Sequence, residues 1–124
     1  MAKNRITKPL KIAIVKGLNH PLVYNSGGYD SIESLRILEG IFDIYMPDIK
    51  YYEKSTGKGL SEADNYPEVS QLAVKEMYRQ VGDLKLTDNG AAYKGIIIRH
   101  LVLPGHINES KKIVDFVASL SKSI

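Results

Sequence analysis

Two apolar runs that end in charged side chains constrain this chain more than any other feature: DIYMPDIKYY at 43–52 and IIIRHLVLPG at 96–105. Nearly continuous apolar residues suit strands of a parallel sheet covered by helices. The Asp/Lys and Arg/His groups at their ends would then reach one rim of an α/β fold, where such folds gather their chemistry.

Helical patterns alternate with these runs. Leu10 to Lys16 carries apolar residues behind Thr7, a candidate cap, and Pro9, which suits a first turn, with Gly17 as the stop. Helix is preferred there, although Ile12, Ile14 and Val15 also suit a strand. A strand is expected over Pro21 to Asn25, running into the Gly27-Gly28 turn. Asp30 is placed to cap a helix from Ser31, with Glu33 closing a capping box and Ile32, Leu35 and Leu38 on one face; Gly40 ends it.

The second strand covers Phe42 to Ile49. Residues 53–65 show little periodicity and read as a long loop or a short irregular helix. Pro67 opens a helix with Val69, Leu72, Ala73, Met77 and Val81 at three- and four-residue spacing, closed by Gly82. Leu84 to Lys94 reads as a small hairpin through Asp88-Asn89-Gly90 that decorates the crossover. Ile96 to Leu103 is the third strand, and Asn108 is a candidate cap for a last helix carrying Ile113, Phe116, Val117 and Leu120. Strand and helix units in this order predict parallel strands joined by right-handed crossovers. The expected fold is α/β, a partial (βα) barrel with a small β-hairpin insertion, forming a single domain over 1–124.

Composition excludes several functions. Against 14 acidic residues the chain has 17 basic ones, interspersed rather than banked, which argues against a nucleic-acid surface. No apolar run approaches the ~18 residues of a membrane span, and no secretory leader is evident, so a cytoplasmic location is expected. His20, His100 and His106 lack metal-pair spacing. Cysteine is absent, which removes thiolate nucleophiles, disulfides and cysteine-held iron–sulfur clusters together.

Three clusters fall at strand ends. Asn25-Ser26-Gly27-Gly28 is explained by a turn, or by a turn whose short side chains admit a hydroxyl-bearing group such as a ribose. Asp48 and Lys50, two apart, share one side of a strand and form either a local ion pair or a clamp on a zwitterionic or sugar-bearing ligand. Arg99 and His100 point to opposite faces, so only one faces inward. Arg99 is the choice for a ligand carboxylate because its planar fork binds two oxygens.

YNSGGYDS at 24–31, IFDIYMPDIKYY at 41–52, YPEVSQLAVKEMYRQVG at 66–82 and IIIRHLVLPG together resemble radical S-adenosylmethionine proteins, and most closely those related to pyruvate formate-lyase activating enzyme. The resemblance implies a TIM-barrel-like fold in which three cysteines after the first strand hold a 4Fe-4S cluster. S-adenosylmethionine chelates its fourth iron, and reductive cleavage yields a 5′-deoxyadenosyl radical that activates a glycyl radical enzyme. By position, Asn25 and Ser26 match the fourth-strand end near the cofactor, Asp48 and Lys50 the D-x-K pair of the fifth strand, and Arg99 the sixth-strand arginine before the L-P-G turn. The cysteine motif is missing, and KSTGKGLS at 54–61 departs from the family's charged helical segment.

The chain therefore reads as a carboxyl-side portion of such a barrel, inactive alone, with an amino-terminal cysteine-bearing fragment or a glycyl radical enzyme as expected partner. A non-catalytic module that binds S-adenosylmethionine or a nucleoside, or that is purely structural, is the rival. Exposed barrel edges are expected to drive self-association.

Overall fold

A computed structural model describes residues 2–124. The chain runs α1 (Ala2–Val15), β1 (Val23–Ser26), α2 (Ile32–Leu38), β2 (Ile44–Pro47), α3 (Lys54–Ser61), α4 (Tyr66–Val81), β3 (Lys85–Leu86), β4 (Ala92–Ile96) and α5 (Ile107–Leu120). The four strands lie in the order β1-β2-β4-β3, the first three parallel and β3 antiparallel to β4. The result is an open, barrel-like α/β sheet that does not close. No helix among the described residues is long and apolar enough to cross a membrane.

Strand parity divides the sheet into two faces. Tyr24 pairs with Tyr45 and Tyr45 with Ile96, so these point the same way. On that side Tyr45, Ile49 and Ile96 are buried with Leu35 of α2, Ala73, Val74, Met77 and Val81 of α4, and Ile113 of α5. Each such aliphatic side chain contributes roughly 1.5–3 kcal/mol on burial. The helix-covered face thus supplies most of the stability. Asn25, Met46, Asp48, Ile97 and Arg99 alternate onto the other face, where all are half-buried or exposed. A face relieved of holding the core is free to carry polar groups.

Several sequence expectations need correction. The first helix begins at Ala2, which places Pro9 inside it rather than in a first turn. Thr7 likewise falls within that helix and not at its start. Gly17, at φ +101°, does stop the helix: Leu18 N–H reaches back to Ala13 O at 3.0 Å. Ser31, not Asp30, caps α2 by accepting Ser34 N–H, because the Asp30 carboxylate is taken by the Tyr24 and Ser26 hydroxyls. His106 rather than Asn108 occupies the cap of α5, and its side chain makes no cap bond. Leu72 of α4 is exposed; Val74 takes the core position expected of it.

The hairpin is the largest change. Its second arm is β4 itself, so the third parallel strand starts at Ala92 and the hairpin is continuous with the sheet instead of decorating a crossover. Gly95 makes this possible. At φ +117° a Cβ there would lie 2.4 Å from Asp83 O, so only glycine lets β4 pass so close to the turn. Beyond Ile96 the strand weakens because Pro47 has no N–H for the ladder. Pairing resumes at Asp48 and Arg99, where Arg99 N–H donates to Pro47 O at 3.0 Å and Ile49 N–H to Arg99 O at 2.9 Å.

Residues 54–61 are helical although Gly57, Gly59, Ser55 and Thr56 are poor helix formers. Tertiary contacts override propensity. Glu109 of α5 accepts the N–H groups of Tyr52 and Glu53 just ahead of α3, and Gly57 allows Ala63 O to return against the helix.

Candidate functional site

The carboxyl ends of β1, β2 and β4 place three polar side chains in one line. Arg99 Nε donates to Asp48 Oδ1 at 2.8 Å, and Arg99 Nη2 donates to Asn25 Oδ1 at 2.7 Å. These residues are 51 and 74 positions apart in sequence; strand register alone brings them together. Arg99 uses one edge of its guanidinium for both bonds, and Nη1 takes part in neither. An end-on fork remains for an oxyanion. Asp48 Oδ2 and the Asn25 amide nitrogen are likewise outside this pair of bonds.

The ion pair holds the fold weakly. Arg99 and Asp48 are 44% and 31% exposed, and pairs of this kind are worth about 0–1 kcal/mol. Opening it to admit a ligand costs little.

Lys50 lies one pleat beyond Asp48, exposed and outside the observed ion pairs. Its ammonium stands over the glycine turn, 3.8 Å from where a Gly27 Cβ would sit. The structure does not bring Ser26 to this rim face. Its hydroxyl turns to the other side, donating to Asp30 Oδ2 at 2.6 Å and accepting Gly28 N–H at 3.1 Å. Consecutive strand residues alternate, so Asn25 and Ser26 cannot both face the same ligand from a regular strand.

His100 also points away from Arg99. Its Nδ1 lies 2.6 Å from Ile49 O, which can only accept, so Nδ1 carries a proton. Nε2 lies 2.8 Å from Ser110 Oγ on α5. The imidazole thereby ties the end of the β4 segment to the last helix.

A cavity of about 350 Å³ opens between the segments that follow β2 and β4, lined by Asp48, Lys50, Tyr51, Arg99, His100 and Leu101 among others; Asn25 of β1 is not part of its wall. It falls within the ~300–1,000 Å³ range of small-molecule sites. A larger cavity of about 520 Å³ lies between the end of β4 and α5, with Ile96, Ile98, Ile113 and Val117 in its mainly apolar wall. His100, Ser121, Lys122 and Ser123 also line it, but both imidazole nitrogens are already partnered by Ile49 O and Ser110 Oγ, which makes it the weaker candidate.

Sequence reasoning missed Tyr66. Its phenol donates to Gly27 O at 2.8 Å, lies 3.1 Å from Asp48 O and accepts Lys50 N–H at 3.1 Å. Burial is the main cause that pushes this phenol up to about 12, so it stays protonated and able to donate at neutral pH. A tyrosine directly before Pro67 gave no period or spacing signal. Only the fold reveals the contact.

The chain is 30% identical over 116 residues to an uncharacterized protein of Methanocaldococcus jannaschii, a match that covers 89% of this chain and 30% of that protein. The chain thus spans less than a third of the length of the curated relative it matches. Neither a family model nor a solved structure matches it.

Proposed function

We propose that this chain is the cofactor-orienting side of a radical S-adenosylmethionine-type barrel, and that it does not perform the radical chemistry alone. The observation that carries the reading is the convergence of Asn25, Asp48 and Arg99 at the ends of three adjacent parallel strands. The donor set fits a ligand that is both zwitterionic and hydroxylated. Arg99 would meet a carboxylate through its second edge, Asp48 would accept from hydroxyl groups, and Lys50 would add positive charge beside the glycine turn. Bound S-adenosylmethionine would supply the adenosyl group that the family cleaves reductively.

The iron–sulfur cluster is a different matter. The chain has no cysteine, and no group of three His, Cys, Asp or Glu side chains among the described residues could hold a metal ion. The residues do not fit the cluster, and no step of this chain runs through it. An amino-terminal cysteine-bearing partner is the corresponding proposal for where such chemistry would come from.

Calorimetric titration of the purified chain with S-adenosylmethionine tests the site. Saturable heat is expected, with affinity falling at least about tenfold in Arg99→Ala and in Asp48→Ala, in line with ~1.5–3 kcal/mol for a charge-assisted bond. Equal binding by both variants would sink the assignment. Absence of saturable heat in the wild type would favour the rival reading of a structural module.

Self-association belongs to the same proposal. β3 covers part of the outer edge of β4, which leaves the two-residue β3 and the longer β1 as edge strands, β1 with more unpaired backbone groups. Light scattering at micromolar concentration is expected to give a dimer or larger species, and Val23→Pro, which removes one edge donor, to shift it toward monomer. A monomeric wild type would end this part of the proposal.

A further inference from the structure

Tyr66 is the first residue of α4 and 4% exposed; it touches Asp48, Lys50 and Tyr51 of the cavity wall but does not itself line the cavity. Its ring is held from two directions. Tyr29 stacks on it with centroids 5.7 Å apart at 12°, and Tyr51 meets it edge-on at 5.5 Å and 68°. The Tyr29 hydroxyl in turn bonds the Asn65 side chain beside it. Packing holds the ring, and the bonds of the phenol oxygen to backbone groups hold its tip.

That oxygen occupies the gap between two strand ends. It binds Gly27 O from the turn after β1, and Lys50 N–H from the segment after β2, with Asp48 O at 3.1 Å. These backbone groups lie within two residues of Asn25, Asp48 and Lys50. The two chains are also pressed together here: a Cβ on Gly28 would fall 2.0 Å from Asp48 O and 3.2 Å from the phenol oxygen. Backbone pairing between β1 and β2 reaches only to Asp48 N–H donating to Ser26 O at 3.0 Å. Beyond that point the phenol bridges the two segments.

We propose that Tyr66 is a positioning residue. Its hydroxyl replaces the missing ladder beyond Ser26 and Asp48, fixing the glycine turn against the Asp48–Lys50 segment and so setting the spacing of Asn25, Asp48 and Lys50 around Arg99. The geometric part stands on the free protein; its consequence for ligand affinity rests on the S-adenosylmethionine reading above.

Tyr66→Phe keeps the ring and removes only the oxygen. Tyr45→Phe is the matched control, because Tyr45 is 0% exposed and loses a hydroxyl bond to Gln80 on the helix side, away from the rim. Nuclear magnetic resonance of the free chain would follow the Arg99 Nε–H and the Lys50 amide. In Tyr66→Phe both are expected to shift and to exchange with solvent at least about tenfold faster, whereas Tyr45→Phe, with a similar loss of stability, leaves them as in the wild type. Unchanged rim signals in Tyr66→Phe, or equal changes in both variants, would overturn the positioning role. Titration with S-adenosylmethionine separates the two claims. Altered rim signals together with no binding by the wild type would uphold the role of Tyr66 and remove the cofactor reading.

Discussion

Gly28→Ala will destabilise the chain by at least ~3 kcal/mol and disrupt the rim with it. The added Cβ would stand 2.0 Å from Asp48 O, a backbone atom, and 3.2 Å from both Asp48 C and the Tyr66 phenol oxygen. A flexible side chain could swing away; these atoms cannot, because Asp48 is held by the sheet and Tyr66 by two flanking rings. Gly28 also sits at φ +79°, which adds strain for any residue with a Cβ. Gly90→Ala provides the comparison. It has φ +84° but nothing within 4 Å, so it isolates the conformational cost, about 1 kcal/mol. Urea unfolding of both variants measures the difference, and a Gly28→Ala loss no greater than that of Gly90→Ala would show that the close approach to Asp48 is not maintained in solution.

Glu109→Ala is expected to cost about 2–4 kcal/mol, while Glu109→Gln costs much less. A single oxygen, Oε1, accepts both Tyr52 N–H at 2.5 Å and Glu53 N–H at 2.8 Å. Glu53 caps α3 without a side-chain bond of its own, so the alanine variant removes the acceptor for two backbone donors at once. Glutamine keeps a carbonyl oxygen in the same place and loses the charge together with the second carboxylate oxygen, which lies 3.4 Å from His106 Nδ1. The pH dependence follows from the same geometry. Burial pushes the Glu109 carboxyl up, but the N–H groups of Glu53 and Tyr52, with smaller help from Thr56 and His106, bring it below its ordinary 4.5. A depressed folded value means that this stability is present above pH 4.5 and is lost as pH falls through the lower folded value. Glu109→Gln should therefore lose part of the acid sensitivity of unfolding. The remainder includes Glu76, which hydrogen bonds from Arg79 and Gln80 hold at about 2, so its share fades between pH 4.5 and about 2. Unfolding midpoints at neutral pH and near pH 3 check this; an acid dependence identical in Glu109→Gln and wild type would contradict it.

The alternation of elements was legible because it is written in local patterns. Leu35 and Leu38, or Ala73, Met77 and Val81, recur at helical spacing whatever surrounds them, and they are buried as that spacing requires. The parallel relation of the three main strands followed from the helices between them. Arg99 rather than His100 sharing a face with Asp48 was open to parity reasoning, since adjacent strand residues oppose one another. The same rule applied at Asn25 and Ser26 separates them, and the structure places Ser26 with Asp30.

What sequence alone could not decide depends on partners distant in the chain. Residues 54–61 lack the propensity for a helix and become one because a carboxylate from α5, some 50 positions away, satisfies the N–H groups in front of them. The hairpin merged with the third strand because Gly95 lets β4 pass against Asp83, a contact with no local signature. Local periodicity determined the helices at 32–38, 66–81 and 107–120 and most of their buried positions. Only the tertiary structure decided that a tyrosine at the start of α4 would join two strand ends, because hydrogen bonds between segments form where register and packing bring them, not where neighbouring residues announce them.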